Sequence, residues 1–511
     1  MKVLQLLTLT TLGLSVSSAL AEQINKEEFT RLLDMTLEQL MQVTVTIASK
    51  TEQTVAQAPS SVTVFTRSQI DALGMTKLDE LLNYIAGTQM LFDVVPNGPS
   101  SHTSVRGSVG FGNDVLYQLN GQRLNNYHSN AANMIYRRIS LHNVEKIEVI
   151  RGPGSALYGS GAFAGVVNII TSDANHKRNE VTVEAGENQS IRAAANFSHN
   201  TGKWGLAVSA QTISDDGQTY SGLYDRFNRT GGNAHDPQRG HDLMLTANYG
   251  NLKFSVLNSV YKTEDYYLFR GGLSPRNYLK TGSTLFDLGY QHKISTSLKG
   301  HYRLGMQHGK VDGATLSGPG NSVPFSQDDV FVGPDFEHDM RNGEAYWVWE
   351  AHPAHTLTFG FNREEADSPH AYTQANYNVL TGPPPFPYLT TVTPLLSGKR
   401  LVADEKMVIN GFFAQDEWRV NDTWYLTTGL RYDDYNLSDS VFSPRAALVY
   451  RANGLDIFKL LYGQAFNAPS LTALYSTTNG NPNTQPTTLR SWEFVWWHEQ
   501  DHFRNGLTFF L

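Results

Sequence analysis

Residues 144–171 read VEKIEVIRGPGSALYGSGAFAGVVNIIT, and this stretch decides how the chain folds. Residues 147–150 predict one β-strand and residues 166–170 a second, because both are short runs rich in β-branched side chains. The glycine- and proline-rich turn between them resembles a phosphate loop, yet no GxxxxGK[ST] pattern follows, so a phosphate site is disfavoured. Tight or left-handed backbone is expected at the glycines of this stretch, which are Gly152, Gly154, Gly159, Gly161 and Gly165.

The composition excludes several classes of protein. The chain has 511 residues, so more than one structural unit is expected, and its formal net charge is −8. Nucleic-acid-binding proteins concentrate positive charge, so that class is disfavoured. The sequence contains no cysteine, which excludes disulfide scaffolds, thiolate zinc sites and cysteine nucleophiles.

The N-terminus has the features of a signal peptide. Lys2 supplies a positive charge, an apolar run extends over residues 3–16, and residues 19–21 (ALA) have the small-x-small pattern of a cleavage site. A membrane anchor is the alternative, but the run is short for a helix that spans a bilayer. Residues 1–21 are therefore predicted to be the signal peptide of an exported protein, and residues 22–57 an N-terminal segment.

Residues 176–511 predict a long series of antiparallel strands. Leu357, Phe359 and Phe361 alternate with polar or small residues, and this period of two recurs along the region. A soluble β-sandwich gives this pattern with its apolar face inside, and a transmembrane barrel gives it with its apolar face outside.

The connections between the strands favour the barrel. Short connections alternate with long ones, as they do in outer-membrane barrels, whereas a sandwich has no reason for this alternation. The short connections are predicted at 200–203, 250–251, 294–296, 352–354, 420–422 and 453–454, and the long ones at 214–240, 264–282, 309–342, 365–405 and 467–487. Aromatic residues near strand ends suit the interfacial girdles of a barrel, and these are Tyr261, Trp347, Trp349, Trp418 and Trp424.

The stretch at 144–171 closely resembles the end of the plug domain in TonB-dependent outer-membrane receptors. Other pieces of the same plug are recognised before it and in the same order, at residues 58–66, 78–87, 104–107 and 115–123. The second half of the chain resembles strands of the receptor barrel at residues 411–418 (GFFAQDEW), 430–433, 443–445, 462–470, 481–483 and 491–493. The chain is thus similar to this family along most of its length.

The resemblance implies an α+β plug domain at residues 58–175 inside an all-β antiparallel transmembrane barrel at residues 176–511. It implies a location in the outer membrane of a Gram-negative bacterium, no enzymatic activity, no cofactor and no resident metal. The implied ligand is a metal chelate, with a ferric siderophore expected first and cobalamin or haem as alternatives. Haem receptors of the family carry a histidine in the region that corresponds to residues 469–481, and none is present here. The implied partners are TonB, with its energising complex ExbB/ExbD, and outer-membrane lipid.

The N-terminal segment contains a candidate TonB box. In the family this is a short extended stretch that adds to TonB as a β-strand. The candidate is uncharged and rich in β-branched residues, which suits that role, and an ordinary edge strand of the plug is the alternative. It consists of Val43, Thr44, Val45, Thr46, Ile47 and Ala48.

The resemblance also implies two plug arginines that face two barrel glutamates. Arg106 and Arg151 match the plug positions, and Glu417 and Glu493 are the matching barrel carboxylates. Guanidinium–carboxylate pairs are strong only where water is excluded, so they suit a plug that must be held and yet released. The alternative is that each is a solvated charge of the lumen. Turn glycines of the plug are expected at Gly107, Gly152, Gly159 and Gly165.

The number of strands conflicts with the size of the plug. About fourteen complete strands are predicted, then a hairpin turn at Asn505-Gly506 and a stub at residues 507–511, whereas plugged barrels have 22 strands. Fourteen strands give a backbone radius of about 14 Å, while a plug of ~130 residues needs a sphere of about 18 Å. We therefore expect a sequence that is incomplete at its C-terminus and does not assemble by itself, which makes a non-functional truncated receptor an alternative.

Two other classes of function are weighed against the receptor. A non-energised porin or adhesin barrel lacks a plug, and residues 58–171 disfavour it. A soluble periplasmic β-sandwich fits the alternation of residues but not the alternation of the connections. No GxSxG nucleophile elbow and no HExxH motif is present, so an enzyme has no support.

Overall fold

The computed structural model describes most of the chain. The described residues are 43–95, 98–108, 113–132, 139–176, 178–225, 227, 232–235, 237–264, 272–320, 328–377, 388–394, 400–452, 456–477, 479–500 and 503–511. The predicted signal peptide at residues 1–21 and the segment at 22–42 lie outside them. None of the described helices is long and apolar enough to cross a membrane.

The first part of the chain forms a small mixed sheet with short helices. Its elements are β1 (Thr44–Val45), β2 (Gln53–Thr54), β3 (Ser61–Thr66), α1 (Arg67–Leu73), α2 (Leu78–Leu82), β4 (Thr88–Val95), β5 (Gly98–Val105), β6 (Val115–Leu119), β7 (Gln122–Arg123), β8 (Val144–Arg151), α3 (Ser155–Tyr158) and β9 (Gly165–Thr171). Five strands pair in the order β3-β8-β9-β6-β7, with β6 and β9 parallel, and β1–β2 and β4–β5 are separate hairpins.

Local sequence explains why these elements begin and end where they do. Helix α1 begins after Thr66, whose side chain and backbone form a capping box with Gln69, and it ends at Gly74 in the left-handed conformation with φ 63°. Strands β8 and β9 confirm the prediction of two strands around a glycine turn, and the turn itself contains the single helical turn α3.

The second half of the chain forms one large antiparallel sheet. Its elements are β10 (Glu180–Ala185), β11 (Ile191–Asn200), β12 (Trp204–Asp215), β13 (Tyr220–Leu223), β14 (Gly232–Ala234), β15 (Gln238–Tyr249), β16 (Leu252–Glu264), β17 (Tyr278–Lys293), β18 (Leu298–Gly318), β19 (Val330–His352), β20 (His355–Asp367), β21 (Ala371–Tyr377), β22 (Tyr388–Pro394), β23 (Met407–Arg419), β24 (Trp424–Tyr435), β25 (Val441–Ala452), β26 (Asp456–Asn467), α4 (Leu471–Tyr475), β27 (Thr487–Gln500) and β28 (Phe503–Phe510). In the described part of the chain, fifteen strands of this sheet follow one another in chain order, with β20 paired directly to β23. Strand β21 pairs with β19 and β22 with β21, while β13 and β14 form a separate pair. The short strands β21 and β22 lie in the connection from β20 to β23 and were not predicted.

The burial pattern of this sheet is inverted relative to that of a soluble protein. In β24, Leu430 and Tyr432 are exposed, whereas Arg431 and Asp433 are buried. The outward apolar residues also include Leu243, Phe286, Leu304, Phe359, Phe412, Phe442 and Leu460, and the inward polar ones Thr246, Ser283, Gln307, Thr358, Gln415, Ser443 and Lys459. A sandwich buries its apolar face, while a transmembrane barrel turns it to lipid, so the predicted barrel fold is confirmed.

Two predicted connections of the barrel are wrong. The region 309–342 was expected to be a long loop, but β18 continues to Gly318 and β19 begins at Val330, and these two residues are paired. The expected turn at Asn505-Gly506 is also wrong, because both residues lie within β28 and pair with β27. Glycine and asparagine are accepted inside strands here, since neighbouring strands supply the hydrogen bonds and the packing.

Tyr261 is a further correction, because it does not belong to an outer aromatic girdle. Its side chain is 2% exposed, and its hydroxyl donates a hydrogen bond to Asp242 Oδ2 at 2.5 Å. Trp349, Trp418 and Trp424 are exposed on the outer face.

The small sheet, which we call the plug, packs against the inner wall of the large sheet from two sides. One apolar cluster joins plug residues to strands β15, β16 and β17 through Met244, Leu257 and Leu285. A second joins the other side of the plug to β25, β26 and β27. In the described part of the chain, the first and last strands of the sheet, β10 and β28, pair with one neighbour each and not with one another. Among the described residues, β10 and β28 are therefore the edges of this sheet.

Candidate functional site

A buried ion pair joins the plug to the barrel. Arg106 follows β5 with a positive φ of 55°, and its Nη2 donates to Glu493 Oε1 on β27 at 2.5 Å. The two side chains are 11% and 5% exposed. The Ser61 hydroxyl also donates to the Glu493 carboxylate, and the Arg106 guanidinium lies 4.6 Å from the ring centre of Phe510 on β28. A charge-assisted bond with little water around it is strong, so this contact fixes one edge of the plug.

The second arginine and the second glutamate of the expected pairs are not brought together. Arg151 donates through Nη1 to the carbonyl of Ala86 at 2.7 Å, and the described residues form no ion pair with it. Burial, aided by the nearby charge of Arg106, lowers the pKa of Arg151. Glu417 accepts hydrogen bonds from Thr51 Oγ1 at 2.9 Å and Gln53 Nε2 at 2.5 Å. Glu417 thus contacts the N-terminal segment instead of a plug arginine.

A second close contact between plug and barrel is made by Gly159 of the plug and Arg431 of the barrel. This glycine ends α3 with φ 70° and ψ −149°, a conformation open essentially to glycine alone. A Cβ atom at Gly159 would lie 3.0 Å from Nη2 of Arg431 on β24. Arg431 is held by Asp433, which accepts from Nη2 at 2.6 Å, and its Nη1 donates to the carbonyl of Leu157 at 3.4 Å. The inward Arg431-x-Asp433 spacing on one strand was the only sequence signal for this contact, and it was missed.

The remaining expected turn glycines differ in their roles. Gly107 and Gly152 have φ values of 77° and 111°, as expected for turns. Gly165 is not in a turn but begins β9, and it is needed for close approach, because a Cβ there would lie 2.7 Å from the carbonyl oxygen of Ile150.

The part of the plug around His128 contacts strand β19 and two long connections of the barrel. His128 stacks on Phe336 with the ring centres 4.1 Å apart, and its Nδ1 lies 3.0 Å from Ser368 Oγ. Its carbonyl accepts a hydrogen bond from Thr472 in α4, so the connection from β26 to β27 folds in over the plug. Burial lowers the pKa of His128 to about 4.

A polar cavity of about 810 Å³ lies between the plug and the barrel wall. A second cavity of about 520 Å³ adjoins it towards the short connections and shares part of its lining, including Arg303 and Glu344. The lining contains charges of both signs and comes from plug, N-terminal segment and barrel alike. Within the described residues, no cluster of three or more His, Asp or Glu could hold a metal ion. The plug thus keeps its apolar contacts with the wall on two sides, and polar space lies between them.

Family models match both parts of the chain. The TonB-dependent Receptor Plug Domain matches residues 54–166, and the TonB dependent receptor-like, beta-barrel model matches residues 112–510. The chain belongs to the TonB-dependent receptor family. Members of this family are outer-membrane β-barrel receptors and not enzymes.

Individual relatives of this receptor agree with the family assignment. Vitamin B12 transporter BtuB of Vibrio vulnificus (strain CMCP6) is 34% identical over 155 residues, which cover 30% of this chain and 24% of that protein. BtuB of Vibrio vulnificus (strain YJ016) is 24% identical over 468 residues, which cover 88% and 66%. The structure of the siderophore receptor PirA from Acinetobacter baumannii has a TM-score of 0.65 at 18% identity, with 88% of this chain and 70% of that chain covered. The receptor chain spans less than two thirds of the length of these curated relatives.

The N-terminal segment of the receptor folds back inside the barrel. Within the candidate TonB box, Val45, Ile47 and Ala48 are buried. The two-residue strand β1 pairs with β2 and, among the described residues, with no strand of the plug sheet. The amide of Ile47 donates to Glu148 Oε2 at 3.1 Å. The candidate box is therefore packed inside the receptor and is not presented as a free extended strand.

Charged side chains of the barrel hold the end of the candidate box and the residues that follow it. Lys50 forms an ion pair with Glu344 on β19. Arg445 Nη2 donates to the carbonyl of Ala48 at 3.0 Å, and Lys459 Nζ donates to the carbonyls of Val55 and Ala58 at 3.0 and 2.8 Å. No sequence pattern predicts these contacts, because the partners are separated by about three hundred to four hundred residues.

Proposed function

We propose that this receptor imports a metal chelate across the outer membrane with energy supplied through TonB. The observation that carries the proposal is a wall with apolar residues outside, whose polar lumen is filled by a plug held through buried charges such as Arg106–Glu493. A filled lumen blocks passive diffusion, so transport requires work. The outer membrane holds neither ATP nor a sustained proton gradient, and the work must therefore arrive mechanically from the periplasm.

The proposal includes a route for that work. Residues 43–48 are the TonB box in this account, and they would be bound by TonB through β-augmentation, with ExbB/ExbD energising TonB. Removal of residues 1–21 as a signal peptide would leave this box near the mature N-terminus. Pulling on the box would act first on the contacts of Lys50 and then on the plug at residues 58–175.

The ligand is proposed at the level of its class. Cobalamin is favoured by the curated sequence relatives, which are vitamin B12 transporters. A ferric siderophore, expected first from the resemblance alone, is the second candidate, and the fold is shared with the siderophore receptor PirA. Cobalamin and ferric siderophores are both bulky chelates that exceed what a porin passes, so both need a receptor of this kind.

Uptake by whole cells tests the proposal. The full chain would be expressed in a Gram-negative host that lacks its own receptors, with and without TonB, and supplied with radiolabelled cyanocobalamin or labelled ferric siderophores. We expect uptake of one chelate class above the vector control, and its loss in the host without TonB. Uptake of none of these chelates, or uptake that persists without TonB, would overturn the proposal, and the latter result would support a passive barrel. Val45→Pro serves as a companion variant, because proline cannot donate the backbone hydrogen bond that strand addition needs.

A further inference from the structure

We propose that the polar cavities between the plug and strands β18–β20 form a transit site, which holds the chelate after it leaves the extracellular side and before its release into the periplasm. The inference rests on the proposed function for the direction of transport. It adds the side of the lumen that the ligand uses and the chemistry of that ligand. We call the contact between the plug edge formed by β6 and β7 and the wall strands β18–β20 the seam.

The plug is not sealed equally against all parts of the wall. Apolar clusters close two sides, one against β15, β16 and β17 and the other against β25, β26 and β27. Strands β18–β20 lie between these two sides in the order of the sheet, and there the cavity of about 810 Å³ separates plug from wall. Ligand sites in proteins usually enclose about 300–1,000 Å³. The seam thus has the space of a ligand site while both apolar clusters stay intact.

The space at the seam continues towards the periplasmic end of the barrel. The second cavity, of about 520 Å³, shares with the first the stacked rings of His301 and Tyr346, whose centres are 4.5 Å apart. It extends to Lys203 and Asn251 in two of the short connections, which face the periplasm in barrels of this class. A solute in the first cavity therefore has a route to the periplasm through the second.

The hydrogen bonds between plug and wall at the seam are long. Gln122 Nε2 donates to the carbonyl of Met306 at 3.3 Å, and Gln307 Nε2 donates to the carbonyl of Leu124 at 3.4 Å. Two buried wall atoms, Gln307 Oε1 and Arg303 Nη2, have no hydrogen-bond partner among the described residues. Ligand or water can satisfy these atoms once the plug edge moves away. Separation at the seam therefore costs less than separation at the apolar clusters.

Neutral amide side chains line both sides of the seam. They are Gln118, Asn120 and Gln122 of the plug and Gln307, Asn342 and Asn362 of the wall. An amide both donates and accepts, so a moving ligand exchanges one partner for the next without leaving a charge unpaired. The charged Arg123 and Glu364 of the same lining pair with each other. The lining thus fits an uncharged chelate rich in amide or hydroxyl groups, such as cobalamin or a hydroxamate siderophore, better than a strongly anionic one.

Thiol labelling tests whether the site is open. The sequence contains no cysteine, so Val348→Cys and Asn342→Cys each place a single thiol in the lining of the larger cavity. Val449→Cys is the matched control, because Val449 is 1% exposed within the apolar cluster on the other side of the plug. The full chain in isolated outer membranes would be treated with a small sulfonated maleimide. We expect both cavity thiols to react about tenfold faster than the control, or more, since labelling follows access of water.

Protection by added chelates tests the chemistry of the site. Cyanocobalamin or ferrichrome, an uncharged hydroxamate chelate, would be present at millimolar concentration during labelling, with ferric citrate as the anionic comparison. We expect one of the uncharged chelates to slow labelling of Asn342→Cys about threefold or more, and ferric citrate to have no effect. Val348→Cys serves in the same way if Asn342→Cys does not assemble. Absence of protection by both uncharged chelates would overturn the proposal.

Blocking the site tests its use in transport. Cells that express Asn342→Cys would be treated with fluorescein maleimide, or with methyl methanethiosulfonate, which adds only a small group. A fluorescein group fills much of a cavity of this size, so we expect uptake of the radiolabelled chelate to fall about tenfold or more while binding at the cell surface is unchanged. The small group should leave uptake close to that of untreated cells. Asn421→Cys, exposed in the short connection after β23, is the control that accepts fluorescein without loss of uptake.

Cavity thiols that react no faster than Val449→Cys would overturn the proposal, and so would full uptake with the fluorescein group attached. Labelling and protection need no transport, so the two proposals fail separately. A receptor without any uptake, whose cavity thiols are still reached and protected, would contradict the proposed function alone. Uptake that the fluorescein group leaves intact would contradict the transit site alone.

Discussion

Arg106 of the plug and Glu493 of the barrel are 387 positions apart in the sequence, and their side chains meet at 2.5 Å in a nearly water-free contact. The pair joins the turn after β5 to strand β27, so it bridges the element that fills the lumen and the wall that surrounds it. A buried pair stabilises little relative to apolar residues, yet removal of one partner leaves an uncompensated charge. Removal of one partner should therefore lower the free energy of unfolding by more than replacement of both partners with apolar residues would.

Neutralising the carboxylate of this pair should loosen the plug. Glu493→Gln leaves the Arg106 guanidinium buried without its counter-charge, and we expect a loss of about 3 kcal/mol in the free energy of unfolding. The measurement is chemical denaturation of the full chain in detergent. Asp422→Asn is the control, because the Arg419–Asp422 pair is 59% and 88% exposed and its loss should cost under about 1 kcal/mol. Equal losses in the two variants would contradict the account.

Substitution of Gly159 should be more damaging than substitution of an ordinary helix-ending glycine. Gly159→Ala adds a methyl group that meets Arg431 at 3.0 Å, in a backbone conformation reserved for glycine. We expect a loss of about 2–3 kcal/mol, the sum of backbone strain and a displaced guanidinium. Gly74→Ala, with φ 63° and nothing within 4 Å of the added atom, should lose only about 1 kcal/mol. Thermal denaturation of both variants measures these losses. Equal losses in Gly159→Ala and Gly74→Ala would show that the contact between Gly159 and Arg431 does not stabilise the receptor.

Acid should destabilise the tip of the plug through His128. Its pKa is about 4 in the folded receptor because of burial, against about 6.5 for an unfolded histidine. Below pH 6.5 the unfolded chain binds a proton that the folded chain does not, so the free energy of unfolding falls as the pH drops, and the loss levels off below the folded pKa. The expected loss is about 3 kcal/mol.

His128→Gln provides the comparison for this acid effect. It removes the titrating group, so the variant should lose less stability than the parent between neutral pH and about pH 4. Denaturation midpoints of the two proteins at several pH values would show the difference. If both lose stability equally, His128 is not the cause of the acid effect.

A charged side chain on the outer face of the barrel should be tolerated only if that face lies in water. Leu430 is 46% exposed in the middle of β24, where a soluble protein would accept arginine with little change. In a bilayer Leu430→Arg should cost about 2–4 kcal/mol. Refolding equilibria in lipid vesicles would measure this cost, with Asn421→Arg in the short connection after β23 as the control that should be nearly neutral. If Leu430→Arg leaves the stability unchanged, the outer face lies in water and not in lipid.

The sequence predicts the orientation of side chains much better than their partners. Period-two alternation around Leu430 identifies the outer face, because a strand sends successive side chains to opposite sides whatever the neighbours are. The order of the plug elements likewise followed from short motifs, such as the glycine turn after β8. The lengths of β18 and β19 are not predicted, because Gly313 and Pro334 favour loops, although pairing with neighbouring strands stabilises these two strands.

The contacts of the site required the three-dimensional structure. Glu417 and Glu493 both have inward positions on barrel strands, but only Glu493 meets Arg106, since the rotation of the plug decides which charge it reaches. For the same reason no pattern in the sequence linked Lys50 to Glu344. Alternation determines that a charge faces the lumen, and only packing determines what it meets there.

Lipid contact along a single strand tests the central claim most directly. Single cysteines at positions 427, 428, 430 and 432 of β24 would carry a fluorophore in vesicles that contain brominated lipid. Bromine should quench fluorescence at positions 428, 430 and 432, whose side chains face outward, and not at 427, whose side chain is 7% exposed and faces the lumen. Quenching that does not alternate along β24 would contradict a membrane barrel filled by its own plug. So would a protein that stays folded without lipid and whose outward positions react freely with water-soluble reagents.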